Sequence, residues 1–88
     1  MEREQIRGGI VDILTSKDFS SLQIDASSID DDTSLLNDIA LDSIQILELI
    51  VAIENRFQIR INTKRLNIDV FDRFSDLVDF VDSNLKLS

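Results

Sequence analysis

Cysteine and histidine are both missing from this chain of 88 residues. Without cysteine the fold has neither disulfides nor thiolate metal ligands, and it is compatible with a reducing cytosol. Without histidine the chain also lacks the commonest general base and the commonest metal ligand. A serine nucleophile needs a base within hydrogen-bond reach, so these absences weigh strongly against an enzyme.

Proline is missing as well, and there are only 2 glycines. Nothing therefore interrupts long helices, and the composition predicts a helical bundle that forms a single domain over residues 1–88. The sequence of residues 1–5 does not have the basic and then apolar pattern of a secretory signal. No apolar run approaches the roughly 20 residues that span a bilayer. We therefore expect a cytoplasmic protein that has no membrane partner.

Acidic side chains dominate the middle of the chain. The net charge is −8, and residues 18–55 contain nine acidic residues and no basic one. A surface of one sign repels nucleic acid and attracts basic protein surfaces. The charge pattern thus excludes a nucleic-acid partner and favours a protein partner with basic patches.

The spacing of apolar residues predicts an all-α fold, a four-helix bundle with a long first loop and a short third helix. Asp42 and Gln45 have the spacing of a capping box at the start of the second helix. Thr63 is a candidate cap for the third helix, and Ser75 for the last. The predicted elements are helix 1 over about 2–16, a loop over 17–41, helix 2 over about 42–57, helix 3 over about 64–68 and helix 4 over about 75–85.

Helix 2 has two apolar stripes rather than one. The first has the spacing of a core-facing stripe and consists of Ile46, Leu49, Ile50, Ile53 and Phe57. The second lies on another face, beside the acidic residues Asp42, Glu48 and Glu54, and consists of Ile44, Leu47 and Val51. Two interpretations stay open: a central helix that is buried on all sides, or a partner-binding face with apolar anchors and an acidic rim.

Ser43 directly follows the candidate cap Asp42, at the first position of helix 2. A helix N-terminus offers backbone N–H groups without intrahelical partners and the positive end of the helix dipole, which together favour a phosphate. Taken alone, however, a serine at this position is more simply explained as a residue that helps to start the helix.

The acidic triplet Asp30–Asp32 suggests a calcium loop. An EF-hand loop that begins at Asp30 needs glycine at its sixth position and glutamate at its twelfth. The sequence has Leu35 and Leu41 there. The triplet is therefore interpreted as a solvated acidic loop, and no metal site is predicted.

The surroundings of Ser43 resemble the acyl and peptidyl carrier protein family. The similarity lies in the runs Leu41-Asp42-Ser43-Ile44 and Leu47-Glu48-Leu49, and in the helix end at residues 54–57. Residues 31–39 and 71–78 are similar to the segments that lead into the family's signature and into its last helix. The resemblance covers about residues 30–83.

This resemblance implies a carrier and not an enzyme. Ser43 would receive 4′-phosphopantetheine from coenzyme A through a phosphopantetheinyl transferase, with Asp42 beside it, and the thiol of that arm would hold an acyl chain. Other implied partners are acyl-loading and chain-extending or transferring enzymes that dock through basic patches on a monomeric carrier. The implied recognition face consists of Asp42, Ile44, Leu47, Glu48, Val51 and Glu54.

Two residues depart from the family pattern. Ala40 stands where glycine is frequent, which would cost stability if the backbone there needs a positive φ. Ile44 replaces the usual leucine. The Leu41-Asp42-Ser43 form is more similar to carriers of polyketide and nonribosomal peptide pathways than to those of primary fatty acid synthesis.

The sequence is therefore compatible with three alternative functions. The first is an acyl carrier of polyketide or fatty-acid-type biosynthesis. The second is an aminoacyl or peptidyl carrier of a nonribosomal peptide pathway. The third belongs to another class, an acidic helical interaction module in which Ser43 is never modified.

Overall fold

Three α-helices and two short 3₁₀ helices make up the secondary structure of the residues that the computed structural model describes, which are 2–17, 19, 23–61, 64 and 66–87. Helix α1 spans Arg3–Leu14, α2 spans Ser43–Phe57 and α3 spans Phe74–Leu87. The 3₁₀ helices span Ala26–Ser28 and Ile68–Asp72, and we call the latter the 68–72 helix. No strand occurs among these residues, which confirms the all-α class; the count of four α-helices is not confirmed.

The core lies where α1 packs against both α2 and α3. Each of the three helices buries one stripe, as an amphipathic helix in a bundle does. The fully buried side chains are Ile6, Ile10, Leu14, Phe19, Leu35, Leu49, Ile53, Phe71, Phe74, Leu77, Val78 and Val81. Within the described part of the chain, no helix is both long enough and apolar enough to cross a membrane.

The ends of α1 and α3 differ slightly from the predicted positions. Helix α1 ends at Leu14, and the hydroxyl of Thr15 then donates a hydrogen bond back to the Val11 carbonyl (2.9 Å). Helix α3 begins at Phe74, so Ser75 is inside the helix and is not its cap. The N–H of Ser75 instead donates to the carbonyl of Asp31 in the long loop (3.1 Å).

The short third helix is the element whose predicted position is wrong. Lys64 lies in a turn, and regular structure begins only at Ile68. The cap is Asn67, whose side-chain oxygen accepts a hydrogen bond from the N–H of Asp69 (3.1 Å). An Asn at the N-cap satisfies one of the orphan donors of the first turn, and this fixes the start of the helix. The predicted cap Thr63 lies outside the described residues.

The long loop between α1 and α2 is held down by its apolar side chains. Phe19, Ile29, Leu35 and Leu41 are buried in the core. Ile24, Leu36 and Ile39 pack against it while partly buried. These seven side chains hold the long loop against the helices; Leu22, another apolar residue of this loop, lies outside the described residues.

Candidate functional site

Ser43 is the first residue of α2, and its side chain is exposed. The preceding residue, Asp42, caps the helix: its carboxylate accepts a hydrogen bond from the N–H of Gln45 (2.8 Å). The side-chain oxygen of Gln45 accepts one in return from the N–H of Asp42 (3.0 Å). This reciprocal capping box confirms the predicted start of the helix and fixes Ser43 at its N-terminus.

The backbone just before Ser43 adopts a left-handed conformation. Ala40 has φ 62°, and the N–H of Leu41 then donates to the carbonyl of Leu35 (3.0 Å). A residue with a Cβ is disfavoured by about 1–2 kcal/mol in this region. The positive φ considered for Ala40 is therefore present, and alanine occupies a position that suits glycine better.

The two stripes of α2 have opposite environments. Ile46, Leu49, Ile50, Ile53 and Phe57 are buried. Ile44, Leu47 and Val51 are exposed by 67%, 58% and 54% of their surface. The interpretation of α2 as a helix buried on all sides is therefore wrong, and the second stripe forms an exposed apolar face.

A groove runs along this exposed face. Its volume is about 560 Å³, and it is bounded by the three apolar residues together with Phe19, Glu48, Ala52 and Asn55. Phe19 belongs to the long loop and is itself buried, so the groove lies between α2 and the loop. The structure thus adds loop residue Phe19 to a surface that the sequence predicted from α2 alone.

The three acidic residues predicted for this face are not equivalent. Asp42 and Glu48 are exposed beside the apolar stripe. Glu54 is half-buried, and its carboxylate accepts a hydrogen bond from the N–H of Ile61 (2.8 Å). Glu54 therefore also holds the connection that follows α2.

A second cavity, which Ser43 itself lines, lies between α2 and the 68–72 helix. Its volume is about 300 Å³, and its lining is Ser43, Ile46, Leu47, Ile50, Leu66, Ile68 and Phe71. Leu66, Ile68 and Phe71 are neighbours of Ser43 that were not predicted from the sequence. Ile68 and Phe71 have the i, i+3 spacing of one helical face, and this signal was available in the sequence.

The acidic triplet is engaged in contacts within the protein. The side chain of Asp30 accepts a hydrogen bond from the N–H of Asp32 (3.0 Å). Asp31 pairs with Arg7 (3.3 Å), and Asp32 pairs with Arg73 (3.1 Å). No cluster of three or more potential metal ligands occurs in the part of the chain that the structure describes.

Comparisons of the sequence with known proteins show which family this chain belongs to. The family model described as the phosphopantetheine attachment site matches residues 20–81. The mitochondrial acyl carrier protein of Saccharomyces cerevisiae is 32% identical over 84 residues, which are 96% of this chain and 66% of the yeast protein. The present chain thus spans about two thirds of the length of that relative.

Two bacterial acyl carrier proteins are similarly related. That of Onion yellows phytoplasma is 37% identical over 65 residues, which are 74% of this chain and 83% of the relative. That of Campylobacter jejuni is 32% identical over 65 residues, or 74% of this chain and 80% of the relative. This chain belongs to the phosphopantetheine-binding family of acyl carrier proteins.

Membership confirms three predictions made from the sequence. The family is the one indicated by the residues around Ser43. Its cofactor is 4′-phosphopantetheine, attached covalently to the protein. Its members carry a cargo for other proteins and are not themselves catalysts.

Proposed function

We propose that this protein is an acyl carrier of polyketide or fatty-acid-type biosynthesis, with its 4′-phosphopantetheine arm on the hydroxyl oxygen of Ser43. The observation that carries the proposal is the exposed Ser43 at the first position of a capped, 15-residue helix, inside the matched residues 20–81. Once attached, the arm supplies the terminal thiol that holds the cargo as a thioester.

The chain's own residues fit an attached phosphate at this point. The hydroxyl oxygen of Ser43 loses its proton and forms the new bond to the phosphorus of the pantetheine half of coenzyme A. The P–O bond of the pyrophosphate linkage breaks, and adenosine 3′,5′-bisphosphate leaves. The N-terminal end of α2 stabilises the resulting negative charge through its dipole and its first N–H groups. The neighbouring carboxylate of Asp42 is directed to the N–H of Gln45, which limits its repulsion of a phosphate.

The exposed face of α2 suits partners with basic docking patches. Ile44, Leu47 and Val51 supply apolar anchors from the Ser43 end to the middle of the helix. Asp42 and Glu48 supply negative charge at the same face. We propose these five residues as the recognition face, with Glu54 in a lesser role because its carboxylate also bonds to Ile61.

Intact-mass analysis after incubation with coenzyme A and a promiscuous phosphopantetheinyl transferase tests the attachment site. We expect the wild-type protein to gain one phosphopantetheinyl unit and the Ser43→Ala variant to gain none. Ser27→Ala is the matched control, because Ser27 is an exposed serine in another helical turn. Folded wild-type protein that gains no mass would refute the proposal and favour the unmodified interaction module.

A loading experiment on the modified protein tests the cargo. The relatives named above are acyl carrier proteins, and this supports an acyl cargo over an aminoacyl cargo. We expect an acyltransferase supplied with an acyl coenzyme A to add an acyl group, detected by mass. Loading by amino-acid adenylation domains alone would favour the peptidyl carrier.

Two further predictions have their own tests. Cell fractionation tests the predicted cytoplasmic location, and light scattering tests the predicted monomeric state.

A further inference from the structure

Asp72, the last residue of the 68–72 helix, contacts the turn that precedes Ser43. Its Oδ1 atom accepts a hydrogen bond from the hydroxyl of Ser34 (3.0 Å) and another from the side-chain amide of Asn37 (3.2 Å). Ser34 is a buried polar residue, with 8% of its surface exposed. Hydrogen bonds to a carboxylate are stronger than those between neutral groups.

The turn held by Asp72 determines where α2 begins. Ser34 organises this turn: its hydroxyl accepts from the N–H of Asn37 (3.0 Å), and its carbonyl accepts from the N–H of Asp38 (2.8 Å). The N–H of Leu41 then donates to the carbonyl of Leu35 (3.0 Å). Because Leu41 directly precedes the capping residue, the orientation of this turn fixes the position of Ser43.

The 68–72 helix forms the opposite side of the same region. Ile68 and Phe71 line the cavity beside Ser43. The carbonyl of Phe71 also accepts a hydrogen bond from the N–H of Leu35 (2.9 Å). Asp72 thus joins, through one carboxylate, the turn before Ser43 and the helix that lines its cavity.

We propose that Asp72 is a positioning residue for the modification of Ser43. It holds the 68–72 helix and the 34–41 turn in the single arrangement that a phosphopantetheinyl transferase binds. When this link is lost, the binding-competent arrangement is populated less, and the apparent affinity falls by the same fraction. The inference rests on the proposed attachment at Ser43.

Kinetics of modification with the carrier as the varied substrate provide the first test. We expect Asp72→Ala to raise the KM for the carrier by roughly three- to tenfold and to leave kcat unchanged. Asp72→Asn keeps an acceptor oxygen for Ser34 and Asn37, so its KM stays close to that of the wild type. Asp69→Ala is the matched control, since Asp69 is an exposed acidic residue of the same helix.

Hydrogen exchange in the unmodified protein provides a readout that is independent of the transferase. In Asp72→Ala the N–H groups of Leu35, Asn37 and Leu41 should exchange faster, while those in the middle of α1 keep their wild-type rates. If Asp72→Ala does not fold, Ser34→Ala removes one of the same hydrogen bonds and is measured in its place.

The two proposals fail in different ways. Wild-type protein that is modified normally, with an unchanged KM and unchanged exchange in the Asp72→Ala or Ser34→Ala variant, would overturn the role of Asp72 alone. Folded wild-type protein that is not modified would overturn the proposed function and the role of Asp72 toward it. A raised KM in Asp69→Ala equal to that in Asp72→Ala would also refute the positioning role, because charge alone would then explain the effect.

Discussion

Gly9 of α1 lies directly against the ring of Phe57, the last residue of α2. A Cβ atom on Gly9 would come within 2.7 Å of the Cζ atom of Phe57, well inside van der Waals contact. The neighbouring Gly8 differs, since a Cβ there would meet nothing within 4 Å. The absence of a side chain at Gly9, but not at Gly8, therefore permits the close packing of α1 on α2.

Alanine substitutions at these two positions should have opposite effects on stability. Gly9→Ala forces the Phe57 ring to move, and this overpacking costs about 1–3 kcal/mol, which the roughly 1 kcal/mol gained in helix propensity offsets only in part. Gly8→Ala removes the entropic penalty of glycine at an exposed helical position and should stabilise by about 1 kcal/mol. Urea unfolding of both variants checks this pair. Equal shifts in the same direction would show that the contact with Phe57 does not constrain Gly9.

Features that are encoded locally were predictable from the sequence. The start of α2 follows from the Asp42 and Gln45 spacing alone, because a capping box satisfies its donors within one turn. The existence of a second apolar stripe with Ile44 and Leu47 follows from the 3.6-residue period, whereas its exposure is decided only by the structure. The same period could not separate Gly8 from Gly9, since only the approach of Phe57 makes them different.

Features that depend on distant contacts were not predictable. The sequence predicts the short helix over about 64–68 with Thr63 as its cap, but Asn67 is an equally acceptable cap and propensity does not choose between the two. In the structure Phe71 is buried and its carbonyl bonds to Leu35, far away in the chain, which fixes the helix at Ile68–Asp72. The role of Asp72 was missed for the same reason: its partners lie in the long loop.

Glycine at position 40 should stabilise the protein. Ala40 has φ 62°, a conformation in which its Cβ is strained and a glycine is not. Ala40→Gly should therefore raise the free energy of unfolding by about 1 kcal/mol. The control is Ala52→Gly within α2, which should instead lower it by about 1 kcal/mol. Thermal and urea unfolding measure both, and a destabilised Ala40→Gly protein would contradict the strained backbone.

The carboxylate of Asp25 should titrate at a lower pH than an ordinary aspartate. A hydrogen bond from the N–H of Ser27, and a second from its hydroxyl (2.8 Å), lower the pKa of Asp25 below its usual value of 3.8. Because the pKa is lower in the folded state, ionised Asp25 stabilises the fold above pH 3.8, and this contribution is lost as the pH falls through the folded pKa.

Replacement of the Ser27 side chain separates these two hydrogen bonds. Ser27→Ala removes the hydroxyl and keeps the N–H, so the pKa of Asp25 should rise only part of the way toward 3.8. Titration of the Asp25 carboxyl carbon by NMR measures the change. A pKa that does not move would show that the backbone hydrogen bond alone holds it down.

Charge reversal at Glu48 should weaken the docking of basic partners. Glu48 is exposed in the groove along α2, beside Leu47 and Val51, so a lysine there opposes a basic patch at the centre of the proposed recognition face. Like charges across an interface cost affinity and slow association.

The matched control is Glu4→Lys. This substitution changes the net charge equally, but at an exposed position of α1, away from the proposed recognition face. In modification kinetics at low salt, Glu48→Lys should raise the KM for the carrier by about tenfold, with a smaller effect at high salt, where charges are screened. Equal effects of the two substitutions would mean that partners respond to the net charge of the carrier and not to this face.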